Sequence, residues 1–237
     1  MSSLDAPSHL DRSGAVQQPD ARALMTWARR HARSFPWRRE RDPFRLVVTE
    51  LMLIRTRAEQ VARVWDAFFE VFPTLDSLIE ADERDVAAAL KPLGLEWRAR
   101  RVLEFARAAA TTPNWQESLR SLPGAGPYVS AAAAIAFNGR GELPVDVTIA
   151  RVVARFFGIQ ASGEARRDVR VLEVTRLMGQ VSRTRFHAWL DLAAAVCKPK
   201  APACGICPLR SGCRTAGLES VSRLNSTSST RSLGDAT

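Results

Sequence analysis

Residues 122–128 read Leu-Pro-Gly-Ala-Gly-Pro-Tyr, and a run of small residues follows them from Ser130 to Ala134. The two glycines, Gly124 and Gly126, would let the backbone approach a phosphate closely, and amides at the start of the following helix would supply hydrogen-bond donors. The stretch therefore predicts a hairpin between two helices that grips a nucleic-acid backbone without reading its sequence. A generic glycine-rich turn between helices is the alternative.

Around this stretch, apolar residues recur at helical rather than alternating spacing, and prolines and glycines mark the breaks. We expect Trp65, Phe68 and Phe69 to lie in the core, and strands are hard to find. The pattern predicts an all-α fold without internal repeats, with helices near 21–33, 43–56, 58–72, 75–81, 83–91, 97–110, 115–120, 127–138, 147–157, 166–180 and 184–197.

The chain has 237 residues, of which 46% are hydrophobic, so it can bury a substantial core. It contains 34 basic and 25 acidic residues, a net charge of +9 that favours a polyanionic partner. Only Lys91, Lys198 and Lys200 are lysines, and the other basic residues are arginines. Arginine binds phosphate in a bidentate manner but cannot act as an amine nucleophile. A GC-rich genome is a simpler source of the arginine bias.

No stretch of the sequence has the apolar length of a membrane span, and no apolar signal core occurs near the start. We therefore expect an unsecreted protein that does not contact membranes. The stretches 1–20 and 217–237 are rich in small and polar residues without periodicity, which predicts a disordered tail at each end.

All four cysteines lie in one 17-residue stretch, as Cys197, Cys204, Cys207 and Cys213. This clustering favours a metal or cluster site over a disulfide framework. Four thiolates are the ligands that a [4Fe–4S] cluster requires. Only Cys204 and Cys207 form the CxxC pair that is typical of structural zinc sites, so we expect the cluster, with zinc or unligated thiols as alternatives.

Two carboxylates stand out as candidate acids or bases. In a helix, Glu50 would have apolar neighbours three and four residues away, and burial of that kind makes a carboxyl group a candidate general acid. The helix could instead turn Glu50 outward or pair it with an arginine. Asp146 directly precedes an apolar helical segment, where an aspartate usually serves as an N-cap. An N-cap can still take part in chemistry.

Together these motifs, in this order, resemble the helix-hairpin-helix DNA glycosylases of the endonuclease III and adenine glycosylase superfamily, over about residues 25–216. The hairpin, the aspartate about twenty residues later and the C-x6-C-x2-C-x5-C loop carry the resemblance. It implies a two-lobed fold, with a six-helix barrel lobe over 41–146 and an iron–sulfur cluster lobe formed by 21–40 and 147–216. It further implies a monomer that acts on double-stranded DNA, cytoplasmic and associated with the nucleoid.

The resemblance also bears on the reaction. Members that cleave the DNA strand carry a Schiff-base lysine at the position of Tyr128, so a monofunctional glycosylase without lyase activity is implied. Tyrosine there, like the segments 36–44 and 49–56, is similar to the thymine and uracil mismatch glycosylases, which act opposite guanine. We expect the stretch after the cysteines to be too short for the extra domain of adenine glycosylases. Thr148 stands where most monofunctional members have asparagine, and a different polar group in the pocket could admit a modified base.

By the same resemblance, Asp146 would stabilise the oxocarbenium-like sugar and orient water, Glu50 would protonate or hydrogen-bond the leaving base, and Tyr128 would line the base pocket. Residues predicted to contact DNA are the hairpin glycines, where a bound monovalent cation is also expected, and three residues that fill the gap left by the flipped base: Ile54, Arg55 and Leu95. The alternatives are an adenine mismatch glycosylase, a glycosylase for an alkylated or oxidised base, and a non-catalytic DNA-binding iron–sulfur protein.

Overall fold

The computed structural model describes residues 17–94, 97–161 and 163–216. Within these residues the chain forms ten α-helices and two short strands: α1 (Ala21–His31), α2 (Pro43–Leu53), α3 (Ala58–Val71), α4 (Leu75–Ile79), α5 (Glu83–Leu90), α6 (Trp97–Thr111), α7 (Pro127–Asn138), β1 (Arg140–Glu142), α8 (Val147–Phe157), α9 (Val169–Leu177), β2 (Gln180–Ser182) and α10 (Arg183–Ala195). The prediction of an all-α fold is confirmed. Leu95 and most of the two expected tails lie outside the described residues.

Most helix starts follow from capping side chains. Five helices begin directly after an aspartate whose carboxylate accepts a hydrogen bond from a first-turn amide, namely Asp20, Asp42, Asp82, Asp146 and Asp168. Helices α7 and α8 end at Gly139 and Gly158, which adopt left-handed conformations with φ of 75° and 68°. In the described part of the chain, no helix combines the length and apolar character needed to cross a lipid bilayer.

The predicted helix at 115–120 is wrong. That stretch forms turns and a single 3₁₀ turn at Leu119–Ser121, while the Trp115 ring packs edge-on against Phe105 with a centroid separation of 5.6 Å. The packing of one aromatic residue, Trp115, thus holds this segment in place, so the segment does not need the repeating apolar face of a helix. Helix α9 begins at Val169 rather than at 166 because Asp168 caps it.

The chain divides into two compact units. The first, here called the six-helix unit, comprises Arg33–Pro144 and Val181–Arg183. It contains helices α2 to α7, and α2 packs against α3, α6 and α7. Trp65, Phe68 and Phe69 lie in its core with exposed fractions of 7%, 1% and 4%, as predicted.

Strands β1 and β2 pair in a short two-stranded sheet. The six-helix unit contains β1 and the part of β2 from Val181 onward. Arg183, at the start of α10, fixes the segment in place. Its amide donates to the Gly139 carbonyl over 2.9 Å, and its Nη2 donates to the carbonyls of Trp37 and Glu40 over 3.0 and 2.8 Å.

The second unit, here called the cysteine unit, comprises in its described part residues 17–32, 145–161, 163–180 and 184–216. It holds α1, α8, α9, most of α10 and the cysteine loop. The boundaries differ from the predicted 40/41 and 146/147. The first falls earlier because Trp37, only 8% exposed, packs in the six-helix core; the second falls before Asp146 because that residue caps α8.

Candidate active site

The hairpin at Leu122–Gly126 is a tight turn that ends directly at the start of α7. Leu122 and Ala125 are buried, and the Ala125 amide donates to the Leu122 carbonyl over 3.2 Å. Gly124 has φ of +79°, and a Cβ there would lie 2.9 Å from Cγ of Arg101 and 3.0 Å from Cδ2 of Leu51. Glycine is therefore required at position 124 by both backbone conformation and space.

Gly126 differs from Gly124, because it is exposed, has an ordinary φ of −61°, and has no atom within 4 Å of an ideal Cβ. It is the N-cap residue of α7, with Pro127 in the first turn. The Ser130 hydroxyl lies 2.7 Å from the Ala125 carbonyl and 3.0 Å from that of Gly126, which ties the hairpin to the helix. An open glycine beside the amides of a 12-residue helix is suited to an approaching phosphate.

Glu50 and Tyr128 lie on two helices that pack against each other, α2 and α7. Glu50 is half-buried, and its helical neighbours Leu46 and Val47 are buried with exposed fractions of 5% and 0%. Tyr128 is also half-buried and packs against the six-helix core. Leu51, which follows Glu50 on α2, is one of the two residues whose side chains lie against Gly124. The fold thus brings the hairpin and Glu50 to the same pair of helices.

A strained turn follows α2. Ile54 ends the helix and packs against the core, whereas Arg55 is exposed and has a left-handed φ of +57°. The turn closes where the Thr56 amide donates to the Leu53 carbonyl over 3.1 Å. An exposed arginine at the tip of a fixed turn is accessible to a DNA partner, and contact of Ile54 and Arg55 with DNA stays a prediction from the family resemblance.

Asp146 is the N-cap of α8 in the cysteine unit. Its Oδ1 accepts hydrogen bonds from the amides of Thr148 (2.9 Å) and Ile149 (2.7 Å). The Thr148 hydroxyl lies 2.8 Å from Oδ1 and 3.0 Å from Oδ2 of the same carboxylate. The capping interpretation is therefore confirmed, and Thr148 emerges as a direct partner of Asp146. An Asp-x-Thr sequence before a helix is the signal from which this contact could have been inferred.

One turn further along α8, Arg151 connects this helix to the cysteine loop. Its Nε donates to the Cys197 carbonyl over 2.9 Å and its Nη2 to the Ala193 carbonyl over 3.0 Å. Burial lowers the pKa of this guanidinium, and the neighbouring Cys197 and Asp146 partly offset that effect while Arg155 adds to it. These contacts could not be inferred from the sequence, because they join residues more than 40 positions apart.

The four cysteines line one cavity together with Arg155 and Thr215. None of the four is joined to another described cysteine by a disulfide bond. The Arg155 guanidinium lies 3.5 Å from Sγ of Cys197 and donates to the carbonyls of Lys198 and Pro199 over 2.6 and 2.9 Å.

The chemistry of this cavity suits four thiolate ligands. Burial, together with the charge of the other three cysteines, raises the pKa of the Cys207 thiol to about 11, so a thiolate at this position needs a positively charged partner such as a metal. The number and kind of donors fit a [4Fe–4S] cluster. Among the described residues, no three His, Cys, Asp or Glu side chains are arranged to hold a single metal ion.

The predicted site residues therefore fall into two groups. The six-helix unit carries Glu50, Tyr128, Gly124, Gly126, Ile54 and Arg55, whereas the cysteine unit carries Asp146 and the four cysteines.

Comparison with known proteins identifies relatives over most of the chain. A thymine-DNA glycosylase of Aeropyrum pernix is 30% identical over 204 residues, which cover 81% of this chain and 92% of that protein. An adenine DNA glycosylase of Mycolicibacterium smegmatis is 32% identical over 81% of this chain and 67% of that protein. The solved structure of a thermostable thymine-DNA glycosylase matches with a TM-score of 0.74 and 26% identity, over 84% of this chain and 95% of that one.

The family model for the HhH-GPD superfamily of base excision DNA repair proteins matches residues 48–173. This range contains Glu50, the hairpin and Asp146. The chain therefore belongs to the HhH-GPD superfamily of base excision DNA repair proteins, within which the relatives described above are DNA glycosylases.

Proposed function

We propose that this DNA glycosylase is monofunctional and hydrolyses the N-glycosidic bond of a thymine or uracil mispaired with guanine in double-stranded DNA. The observation that carries the monofunctional reaction is Tyr128, which stands on the first turn of α7 where strand-cleaving members would carry a lysine. The sequence has no lysine between Lys91 and Lys198, so the hairpin region offers no amine for a Schiff base. Water is then the nucleophile.

The choice of pyrimidine rests on the relatives. The thymine-DNA glycosylase of Aeropyrum pernix is matched over 92% of its length, and a solved thymine-DNA glycosylase has a TM-score of 0.74. The adenine glycosylase of Mycolicibacterium smegmatis has a similar identity, 32% against 30%, so identity alone does not discriminate between the two substrates. Tyr128 and the solved structure favour the pyrimidine.

In the proposed mechanism, Asp146 stabilises the positive charge that develops on the sugar and orients the attacking water. The two capping amides and the Thr148 hydroxyl fix the orientation of its carboxylate before the substrate arrives. Glu50, half-buried among apolar neighbours, supplies a proton or a hydrogen bond to the departing base. Tyr128 lines the pocket for the flipped base.

We further propose that Cys197, Cys204, Cys207 and Cys213 hold a [4Fe–4S] cluster. When bound, such a cluster acts as a cross-link that joins four points of a loop with little regular structure. The Arg155 guanidinium beside Cys197 is placed to stabilise a thiolate there. A monovalent cation at the hairpin remains a prediction.

Single-turnover incubation with a panel of duplexes tests the proposal. The duplexes carry thymine or uracil opposite guanine, or adenine opposite guanine or 8-oxoguanine, and the products are resolved with and without alkali. We expect breakage only after alkali and only for the pyrimidine mismatches. Release of adenine instead would make the chain an adenine glycosylase, and binding without release from any duplex would favour a modified base, for which Thr148 leaves room, or a non-catalytic role.

A further inference from the structure

Arg98 is a fully buried arginine near the start of α6, with an exposed fraction of 0%. A buried guanidinium ordinarily has a carboxylate partner, because removing the charge from water is costly. Arg98 forms no ion pair with any of the described residues. Burial lowers the pKa of its guanidinium. The buried charge of Arg98 is therefore stabilised by hydrogen bonds rather than by an ion pair.

The Arg98 guanidinium makes polar contacts with two separate loops. Nη2 of Arg98 donates to the Ile54 carbonyl over 2.8 Å and to the Thr56 hydroxyl over 2.7 Å. Nη1 makes a longer contact of 3.5 Å with the Gly94 carbonyl. Ile54 and Thr56 are more than 40 residues away in sequence, so one side chain connects the turn after α2 to the loop before α6.

The turn at Ile54–Thr56, which Arg98 contacts, contains a strained residue. Arg55 has a left-handed φ of +57°, a conformation that is unfavourable for a residue with a side chain. The side chain of Arg55 is exposed, while Arg98 holds the residues on either side of it from the buried face. Gly94, in the second loop, also has a positive φ, of +67°.

We propose that Arg98 is a positioning residue that fixes the Ile54–Thr56 turn and the Gly94 carbonyl in one geometry, so that the turn enters the duplex at the space left by the flipped base. This inference rests on the proposed function, because only a base-flipping protein has such a space to fill. The planar guanidinium suits the task, since its donors point in fixed directions.

Substitutions can remove these hydrogen bonds while Arg98 stays in place. Thr56→Val deletes the hydroxyl that accepts from Arg98, and with it the longer hydrogen bond of 3.3 Å that this hydroxyl donates to the Ile54 carbonyl. Thr56→Ser restores the hydroxyl. Arg98→Lys keeps the charge but loses the forked geometry. Thr112→Val is a matched control in the same unit, because the Thr112 hydroxyl only donates to its own backbone at Ala108 over 2.8 Å. Arg107→Lys is the control for α6, where Arg107 is exposed.

Two readouts separate positioning from folding. The first is the affinity for a duplex with a stable abasic analogue opposite guanine, relative to the same duplex undamaged. The second is the fluorescence of 2-aminopurine beside that site, which rises when the base unstacks. For Thr56→Val and Arg98→Lys we expect the abasic preference to fall about tenfold, the value for loss of one charge-assisted hydrogen bond. The fluorescence change should fall with it, while affinity for undamaged duplex stays within about twofold of wild type.

Thr56→Ser and both controls should behave as wild type. A merely structural role would lower the folded fraction and reduce both affinities in proportion, which would overturn the proposal. An unchanged abasic preference and fluorescence in folded Thr56→Val would also overturn it, even if Arg98→Lys does not fold. If wild type prefers the abasic duplex and Thr56→Val loses that preference, the inference stands even when no base is released and the proposed substrate is wrong. If wild type has no such preference, the inference fails whether or not bases are released.

Discussion

Replacement of Thr148 by valine isolates one hydrogen bond to the proposed catalytic carboxylate. Valine has the shape of threonine without the hydroxyl, so the variant loses the contact at 2.8 Å to Oδ1 and 3.0 Å to Oδ2 of Asp146. The backbone amides of residues 148 and 149 still cap the helix through Asp146. We therefore expect the thermal unfolding midpoint to stay within about 3 °C of wild type.

The expected loss of rate follows from the charge on the acceptor. A hydrogen bond to a charged group contributes about 1.5–3 kcal/mol, and about 1.4 kcal/mol corresponds to a tenfold change, so the full range is about 10- to 150-fold. Asp146 is half-buried, so water replaces part of the lost interaction. We expect a decrease near the lower end, about tenfold, in the single-turnover rate of base release, with little change in affinity for DNA.

Thr175→Val is the matched control in the same unit. The Thr175 hydroxyl is buried and donates only to the Val171 carbonyl of its own helix, over 2.7 Å. Its removal should leave the rate unchanged. Thr148→Asn keeps a side-chain donor beside the carboxylate and should release base faster than Thr148→Val. A Thr148→Val enzyme as fast as wild type would refute the argument that this hydroxyl orients Asp146.

Further substitutions test the other parts of the site. Asp146→Asn should reduce base release at least about 10³-fold while the protein stays folded, because asparagine is an equally good N-cap; unfolding and rate are measured together. Glu50→Gln should slow release by about 10²-fold, seen most clearly for the poorer leaving group thymine rather than uracil. Gly124→Ala should destabilise the fold by about 1–3 kcal/mol in urea unfolding, because φ is +79° and a Cβ would crowd two side chains, whereas Gly126→Ala should fold normally and weaken DNA binding in anisotropy titrations. Cys204→Ser in the purified protein should lower bound iron and visible absorbance near 400 nm relative to wild type; equal iron content would argue against the cluster.

The parts of the fold that depend on neighbouring residues could be predicted from the sequence. The aspartates before α2 and α8 mark helix starts, and Gly158 marks an end, because capping is decided within a few residues. The prediction of a helix at 115–120 was wrong for the opposite reason. Its geometry depends on Trp115 packing against a helix formed elsewhere in the chain.

The same distinction applies to the site. The contact between Thr148 and Asp146 joins residues two positions apart and is within reach of sequence reasoning. Arg98 is not, because in sequence it is one of several arginines between 98 and 101. Only the fold identifies it as the buried one, since its partners Ile54 and Thr56 are more than 40 residues away.

The central claim is that water, directed by Asp146, releases a pyrimidine and leaves the DNA strand intact. The most direct test follows free thymine and strand breakage in one single-turnover time course on a guanine–thymine duplex, with wild type and Asp146→Asn side by side. The account predicts that thymine appears with wild type alone, at a rate matched by alkali-labile sites, with no breakage before alkali. Breakage that keeps pace with thymine release before alkali, or release by Asp146→Asn at the wild-type rate, would contradict it.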